Sequence, residues 1–186
     1  MDLNVNAVKI ALKVIKMFED CNLIAYPDPA SDLYKALSTH NMLAKYMRGD
    51  IKWDDLTENF QTLDAKPWTI GYGATGDGID QHTVWTLEEA LEALETRVRE
   101  DMWHVLDNCP ALATEAPERL AACTSLAYNI GLHAFKESTA CRLVNEGNHT
   151  GVPSAILLWN KAHGLIVDGL DKRRKVEAAL YASGGN

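Results

Sequence analysis

The sequence predicts an α+β fold, mostly helical, in two lobes around a cleft. Three observations carry this expectation: helical periodicity near the start, an alternating glycine-punctuated stretch over residues 68–84, and a run of capped helices from Thr86 onward.

Val8, Ala11, Leu12, Ile15 and Phe18 recur at helical intervals, so residues from about 6 to 20 read as a helix with one packed face. Pro27 and Pro29 end that region, because a residue before proline is pushed out of the helical basin. Residues 31–63 are helix-prone but irregular. Ser38 is placed to cap a short helix running to Arg48, with Gly49 as its stop, and Ile51 to Phe60 suggests a second.

Thr69-Ile70-Gly71-Tyr72-Gly73 alternates and Gly76-Asp77-Gly78 supplies a turn, which predicts a small hairpin or short sheet. Thr86-Leu87-Glu88-Glu89 is a capping box opening a long acidic helix toward Leu106. Pro117 suits the first turn of a helix ending at Gly131, and Ser138 caps one ending near Gly147. A helix through Ala155 to Lys161 stops at Gly164, and one from about Leu170 to Ala182 ends in Gly184-Gly185. No repeat, low-complexity tract or linker divides the chain, so it reads as one domain over residues 1–186.

At 186 residues the chain is long enough to bury a core without staples. The formal net charge of −8, from 18 Lys and Arg against 26 Asp and Glu, argues against nucleic acid as a partner, since phosphate neutralisation needs cations. Cys21, Cys109, Cys123 and Cys141 stand far apart, with neither zinc-site spacing nor a disulfide framework. They read as buried free thiols, with pairing after export as the alternative. The six histidines are scattered, so no metal and no organic cofactor is expected. Lys9, Lys13 and Lys16 interrupt the apolar residues near the start, so neither a signal peptide nor stable membrane insertion is expected.

The chemistry lies in Glu19, Asp28 and Thr69. Alone, each has an ordinary explanation: a solvated helix-end glutamate, a turn residue in Pro27-Asp28-Pro29, and a strand threonine. Together they supply a proton donor, a second carboxylate and a hydroxyl able to hold a water, the parts needed to hydrolyse a glycosidic bond.

The words around them decide between these readings. Phe18-Glu19, Leu23, Ala25-Tyr26-x-Asp28 and Trp68-Thr69-Ile70-Gly71-Tyr72-Gly73-x-Thr75 occur in order. Leu126-Ala127-Tyr128-Asn129-Ile130-Gly131, Ala134-Phe135-x-x-Ser138-Thr139 and Arg173-Arg174-x-x-Glu177 follow. Over roughly residues 8–181 this pattern resembles the phage lysozyme family, endolysins of glycoside hydrolase family 24 type related to the lysozyme of phage T4. The resemblance implies a lysozyme-like fold with a small β-hairpin lobe and a larger helical lobe.

It implies an N-acetylmuramidase that cuts the β-1,4 bond between N-acetylmuramic acid and N-acetylglucosamine in peptidoglycan with inversion, for host cell lysis. Glu19 falls on the family's acid, Asp28 on its second carboxylate and Thr69 on its third catalytic residue. Protonated Glu19 requires a shielded setting that raises its pKa, and neighbouring Asp20 would act in the same sense. Thr75, Tyr128 and Ser138 are candidates to bind glycan, Ser138 being equally a helix cap. An arginine near the chain end pairs with the glutamate in the family; Arg173 and Arg174 both qualify, although the run Lys172–Lys175 also reads as a solvated helix face.

The implied setting is a monomer made in the host cytoplasm and released to the periplasm and cell wall by a pore-forming holin. Forty residues separate Asp28 from Thr69, far more than in the family, so a helical insertion is placed at about 31–65. It is expected either to pack beside the cleft and lengthen or gate the groove, or to be structural ornament. A lytic transglycosylase, and a non-catalytic wall-binding protein on the same scaffold, are the competing readings.

Overall fold

The computed structural model describes residues 3–185. Two compact units divide the chain, one formed by residues up to Phe18 and from Glu95 onward, the other by Glu19–Leu94. Helix α1 (Val5–Lys16) is opened by Asn4, whose side-chain oxygen accepts from the N–H groups of Asn6 and Ala7 at 3.0 and 3.2 Å. It ends sooner than its periodicity suggests. The N–H groups of Met17 and Phe18 reach back only three residues, to Val14 and Ile15, which tightens the last turn and leaves Glu19 outside the helix.

The Glu19–Leu94 unit is built on strand β1 (Asn22–Pro27), which the sequence reading did not foresee. Proline is tolerated there because it occupies the strand's last position. Between Pro27 and Trp68 the chain forms α2 (Asp32–Thr39), α3 (Leu43–Met47), a 3₁₀ turn (Trp53–Asp55) and α4 (Glu58–Gln61). Ser31 caps α2, its hydroxyl accepting from Tyr34 N–H at 3.2 Å. Ser38 lies inside α2 and caps nothing, because the chain reverses only after it, at Asn41 with φ +57°. The helix ending near Arg48 is present, and Gly49 follows at φ +77°. Residues 51–60 do not make one helix, since Leu56 and Thr57 are extended between the 3₁₀ turn and α4.

Strand β2 (Trp68–Gly71) runs antiparallel to β1, pairing Tyr26 with Thr69 and Pro27 with Trp68. The opposite edge of β1 takes residues 83–85: Ala25 N–H donates to Thr83, and Trp85 N–H to Leu23. The expected hairpin is there in miniature, with Ile70 and Ala74 exchanging hydrogen bonds of 2.9 and 2.8 Å around Gly71-Tyr72-Gly73. Gly71, at φ +61°, also lies so close to Trp85 that a Cβ would come within 3.0 Å of the indole. Leu33, Leu37, Tyr46 and Leu56 share one core with Ala25, Trp68 and Ile70.

Helix α5 (Leu87–Asn108) starts at the capping box: Thr86 N–H donates to the Glu89 carboxylate at 2.7 Å, and Glu89 N–H to Thr86 Oγ1 at 3.2 Å. After it come α6 (Pro117–Ile130), α7 (Leu132–Lys136), α8 (Thr139–Asn145), α9 (Val152–Leu157), the strands β3 (Lys161–Ala162) and β4 (Leu165–Ile166), and α10 (Asp168–Ser183). Gly131 ends α6 and Ser138 caps α8, as the sequence suggests, while α7 was not foreseen. The helix placed at Ala155–Lys161 begins and ends earlier; Gly164, at φ +80°, turns the β3–β4 hairpin instead of stopping a helix. Within the unit formed by residues up to Phe18 and from Glu95 onward, α1 and α10 pack on α6, and α10 also on α9.

Candidate active site

Glu19, Asp28 and Thr69 all belong to the Glu19–Leu94 unit. Glu19 is half-buried in the connection from α1 to β1. Thr69 is 7 % exposed on β2, directly opposite Tyr26 on β1. Opposed residues of an antiparallel ladder project to the same face, so Tyr26 and Thr69 share one side of the sheet.

Asp28 follows two residues after Tyr26, where three hydrogen bonds fix the backbone. Its N–H donates to Ala65 at 3.1 Å, its side-chain oxygen accepts from Ala30 N–H at 2.7 Å, and its carbonyl accepts from Ser31 N–H at 2.9 Å. The second of these is an Asx turn, which aims the carboxylate by local chemistry.

Tyr26 lies in the electrostatic field of the carboxylates. Burial first, then Tyr34, Glu19, Asp20 and Asp28, push its hydroxyl above the usual phenol range. Glu19 and Asp28 thus both lie within electrostatic reach of one phenol, on the strand residue paired with Thr69. The sequence reading gave Tyr26 no role, although it stands in Ala25-Tyr26-Pro27-Asp28; its spacing of two from Asp28 was the available signal. Tyr72, in the turn after β2, is pushed up by burial and by a hydrogen bond with the Cys21 thiol.

Of the candidate glycan-binding residues, Thr75 is exposed just beyond the Gly71–Gly73 turn, in the same unit as Glu19. Tyr128 and Ser138 belong to the other unit. Tyr128 is half-buried, with the Arg97 guanidinium 5.7 Å from its ring centroid. Ser138 is buried, and its hydroxyl accepts from Cys141 N–H at 3.0 Å, so its capping role is structural fact.

The Lys172–Lys175 run is not a uniformly solvated face. Arg173 and Arg174 are buried and both reach Glu177, at 3.1 and 2.7 Å. Glu177 Oε1 also accepts from the Ser125 hydroxyl of α6 at 2.6 Å. The four cysteines are unpaired, and all but half-buried Cys21 are buried. Among the described residues, no three His, Cys, Asp or Glu side chains gather to hold a metal ion.

The fold is that of lysozymes. An endolysin from Escherichia coli O157:H7 phage FAHEc1 superimposes with a TM-score of 0.65 at 26% identity, covering 97% of this chain and 93% of its own. A point mutant of P22 lysozyme gives 0.61 at 26% identity, over 98% of this chain and 99% of its own. The phage lysozyme family model matches residues 51–177, a stretch that includes Thr69, Thr75, Tyr128 and Ser138 and begins after Glu19 and Asp28. The chain belongs to the phage lysozyme family. The endolysin of Bacillus phage B103 is 36% identical over 121 residues, 64% of this chain and 44% of that protein, so the match spans less than half of its length.

Proposed function

We propose that the chain is an endolysin acting as an N-acetylmuramidase, hydrolysing the β-1,4 bond between N-acetylmuramic acid and N-acetylglucosamine in bacterial peptidoglycan. The observation that carries this reading is membership of the phage lysozyme family by a chain whose ladder pairs Thr69 with Tyr26, two residues before Asp28.

Glu19 donates its proton to the leaving sugar oxygen. Asp28, aimed by its Asx turn, takes a proton from a water that the Thr69 hydroxyl helps to hold. The water's oxygen bonds to the anomeric carbon as the glycosidic bond breaks, and attack on the face opposite the leaving group inverts that carbon. The assignment of Thr75, Tyr128 and Ser138 to glycan contact rests on the family resemblance. The segment at about 31–65 is read as a helical insertion into one catalytic domain.

Among the described residues, no helix is long and apolar enough to cross a membrane. The reading includes synthesis in the host cytoplasm, release through a holin pore, and action on the wall as a monomer. The test is digestion of purified peptidoglycan with mass identification of the new ends. Reducing ends support hydrolysis, anhydro ends would make the protein a lytic transglycosylase, and wall binding without new ends would make it a non-catalytic binder.

A further inference from the structure

Two buried thiols take no part in the proposed chemistry, yet they lie against each other. The Sγ atoms of Cys109 and Cys141 are 3.1 Å apart, about 1 Å more than a covalent S–S bond of ~2.05 Å. The two residues stand 32 positions apart in the chain, so only tertiary packing brings them together.

Local chemistry fixes the backbone on both sides. Cys109 follows α5 directly, its N–H donating to Val105 at 2.8 Å and its carbonyl accepting from Leu112 N–H at 3.1 Å, where the chain enters the 3₁₀ turn Pro110–Ala113. Cys141 stands in the first turn of α8, its N–H donating to the Ser138 cap at 3.0 Å. Both side chains are packed in the core, 0 % and 3 % exposed, which holds the sulfurs at this separation.

The pair is unequal in access. Burial first, then the hydrogen bond and charge of Cys141, push the Cys109 thiol far above its ordinary range, so it stays protonated. Cys141 instead meets an exposed side chain. Asn145, one turn further along α8, reaches back with its amide 3.8 Å from the Cys141 sulfur while donating to the Asn108 carbonyl at 2.9 Å. A swing of that amide opens an approach to Cys141 first.

We infer that Cys109 and Cys141 are a latent disulfide pair, joined when the chain meets a disulfide oxidant. The Cys141 sulfur gives its proton to solvent and attacks one sulfur of the oxidant, displacing the other as a thiolate. Cys109 passes its proton to that thiolate and attacks the Cys141 sulfur, displacing the rest of the oxidant. Two cysteine thiols are oxidised by two electrons, and the oxidant's disulfide is reduced to two thiols. The closed ring spans residues 109–141 and encloses α6 and α7, with Tyr128 and Ser138. Such a link removes freedom from the unfolded chain, the more so for a long loop. That the oxidant is met after release from the cytoplasm rests on the endolysin reading. The sulfur contact does not.

The test exposes the folded, fully reduced chain to glutathione disulfide, then denatures it, alkylates the remaining thiols and maps its peptides. Cys123 is expected to be alkylated, and Cys109 and Cys141 to be recovered in one linked peptide. The melting temperature should rise by about 5–10 °C on oxidation and return on reduction. In Cys141→Ala, Cys109 is alkylated and that rise is lost. Three results overturn the proposal: both thiols still open to alkylation, a link from either to Cys123, or a melting temperature that falls when the pair forms. Walls left uncut by a chain that still forms the pair would sink the muramidase reading and leave this one standing.

Discussion

The backbone N–H of Asp28 donates to the carbonyl of Ala65 across 3.1 Å, so the chain leaves the sheet and returns to it at one point. A second bond, from Leu33 N–H to Asp64 at 2.9 Å, repeats the closure one step further out. The intervening residues therefore add little to the entropy of bringing β1 and β2 together, because loop closure grows only logarithmically with length. Tyr26 and Thr69 can pair as they would across a short connection.

The excursion is not ornament on a finished sheet, because Leu33, Leu37, Tyr46 and Leu56 fill the same core as Ala25, Trp68 and Ile70. Leu37 is fully buried there. Leu37→Ala should lower unfolding free energy by about 2–5 kcal/mol, as cavity-forming core truncations do. Urea titration measures it; a loss within experimental error would mean that the helices only rest on the sheet.

Substitutions can separate the proposed chemistry from architecture. Glu19→Gln cannot donate a proton and should reduce turnover of peptidoglycan by about 10²-fold or more. Asp28→Asn keeps an oxygen for the Ala30 N–H and hence the Asx turn, so turnover should collapse while the melting temperature barely moves. Thr69→Val preserves the branched shape of a buried strand residue and should slow turnover about 3- to 10-fold, the value of one hydrogen bond to water. Full activity in Glu19→Gln would remove the assignment.

What could be read from sequence was what local chemistry decides. Thr86 with Glu89, Ser138 and Gly131 act within a few residues of themselves, and each sits where its capping chemistry puts it. Strand β1 escaped because its partners are Trp68–Gly71 and residues 83–85, which no local window contains. Glu19 was legible as a candidate acid but not as a loop residue, since a three-residue hydrogen bond at Phe18 leaves no mark in hydrophobic periodicity. Arg173 and Arg174 carried the signature of a solvated run, and only α6 packing against α10 reveals them as buried.

That burial sets Glu177 among buried charges in the unit that holds α10. Its carboxylate, fully buried, meets Arg173, Arg174 and the Ser125 hydroxyl together. Glu177→Gln keeps the shape but removes the anion two buried guanidinium groups share. Breaking a buried pair by deleting one partner typically costs about 3–5 kcal/mol, and chemical denaturation should record a loss of that size. A melting curve equal to that of the unaltered chain would show that the arginines are satisfied without it.

The capping box of α5 predicts a stability term with a definite pH window. Hydrogen bonds from the Thr86 N–H and hydroxyl, at 2.7 and 3.0 Å, hold the Glu89 carboxyl below its ordinary value of 4.5. A depressed folded-state pKa means that folding favours the ionised form, so the contribution is complete above the unfolded value. It declines as pH falls through 4.5 toward the lower folded value. Glu89→Gln retains an oxygen to accept from Thr86 but has no charge to lose. The gap in melting temperature between the unaltered chain and Glu89→Gln should therefore be constant from pH 7 to about 5.5 and narrow steadily toward pH 3. Thermal melts across that range read the gap directly, and one that stays fixed or widens on acidification would mean the cap acts through geometry alone.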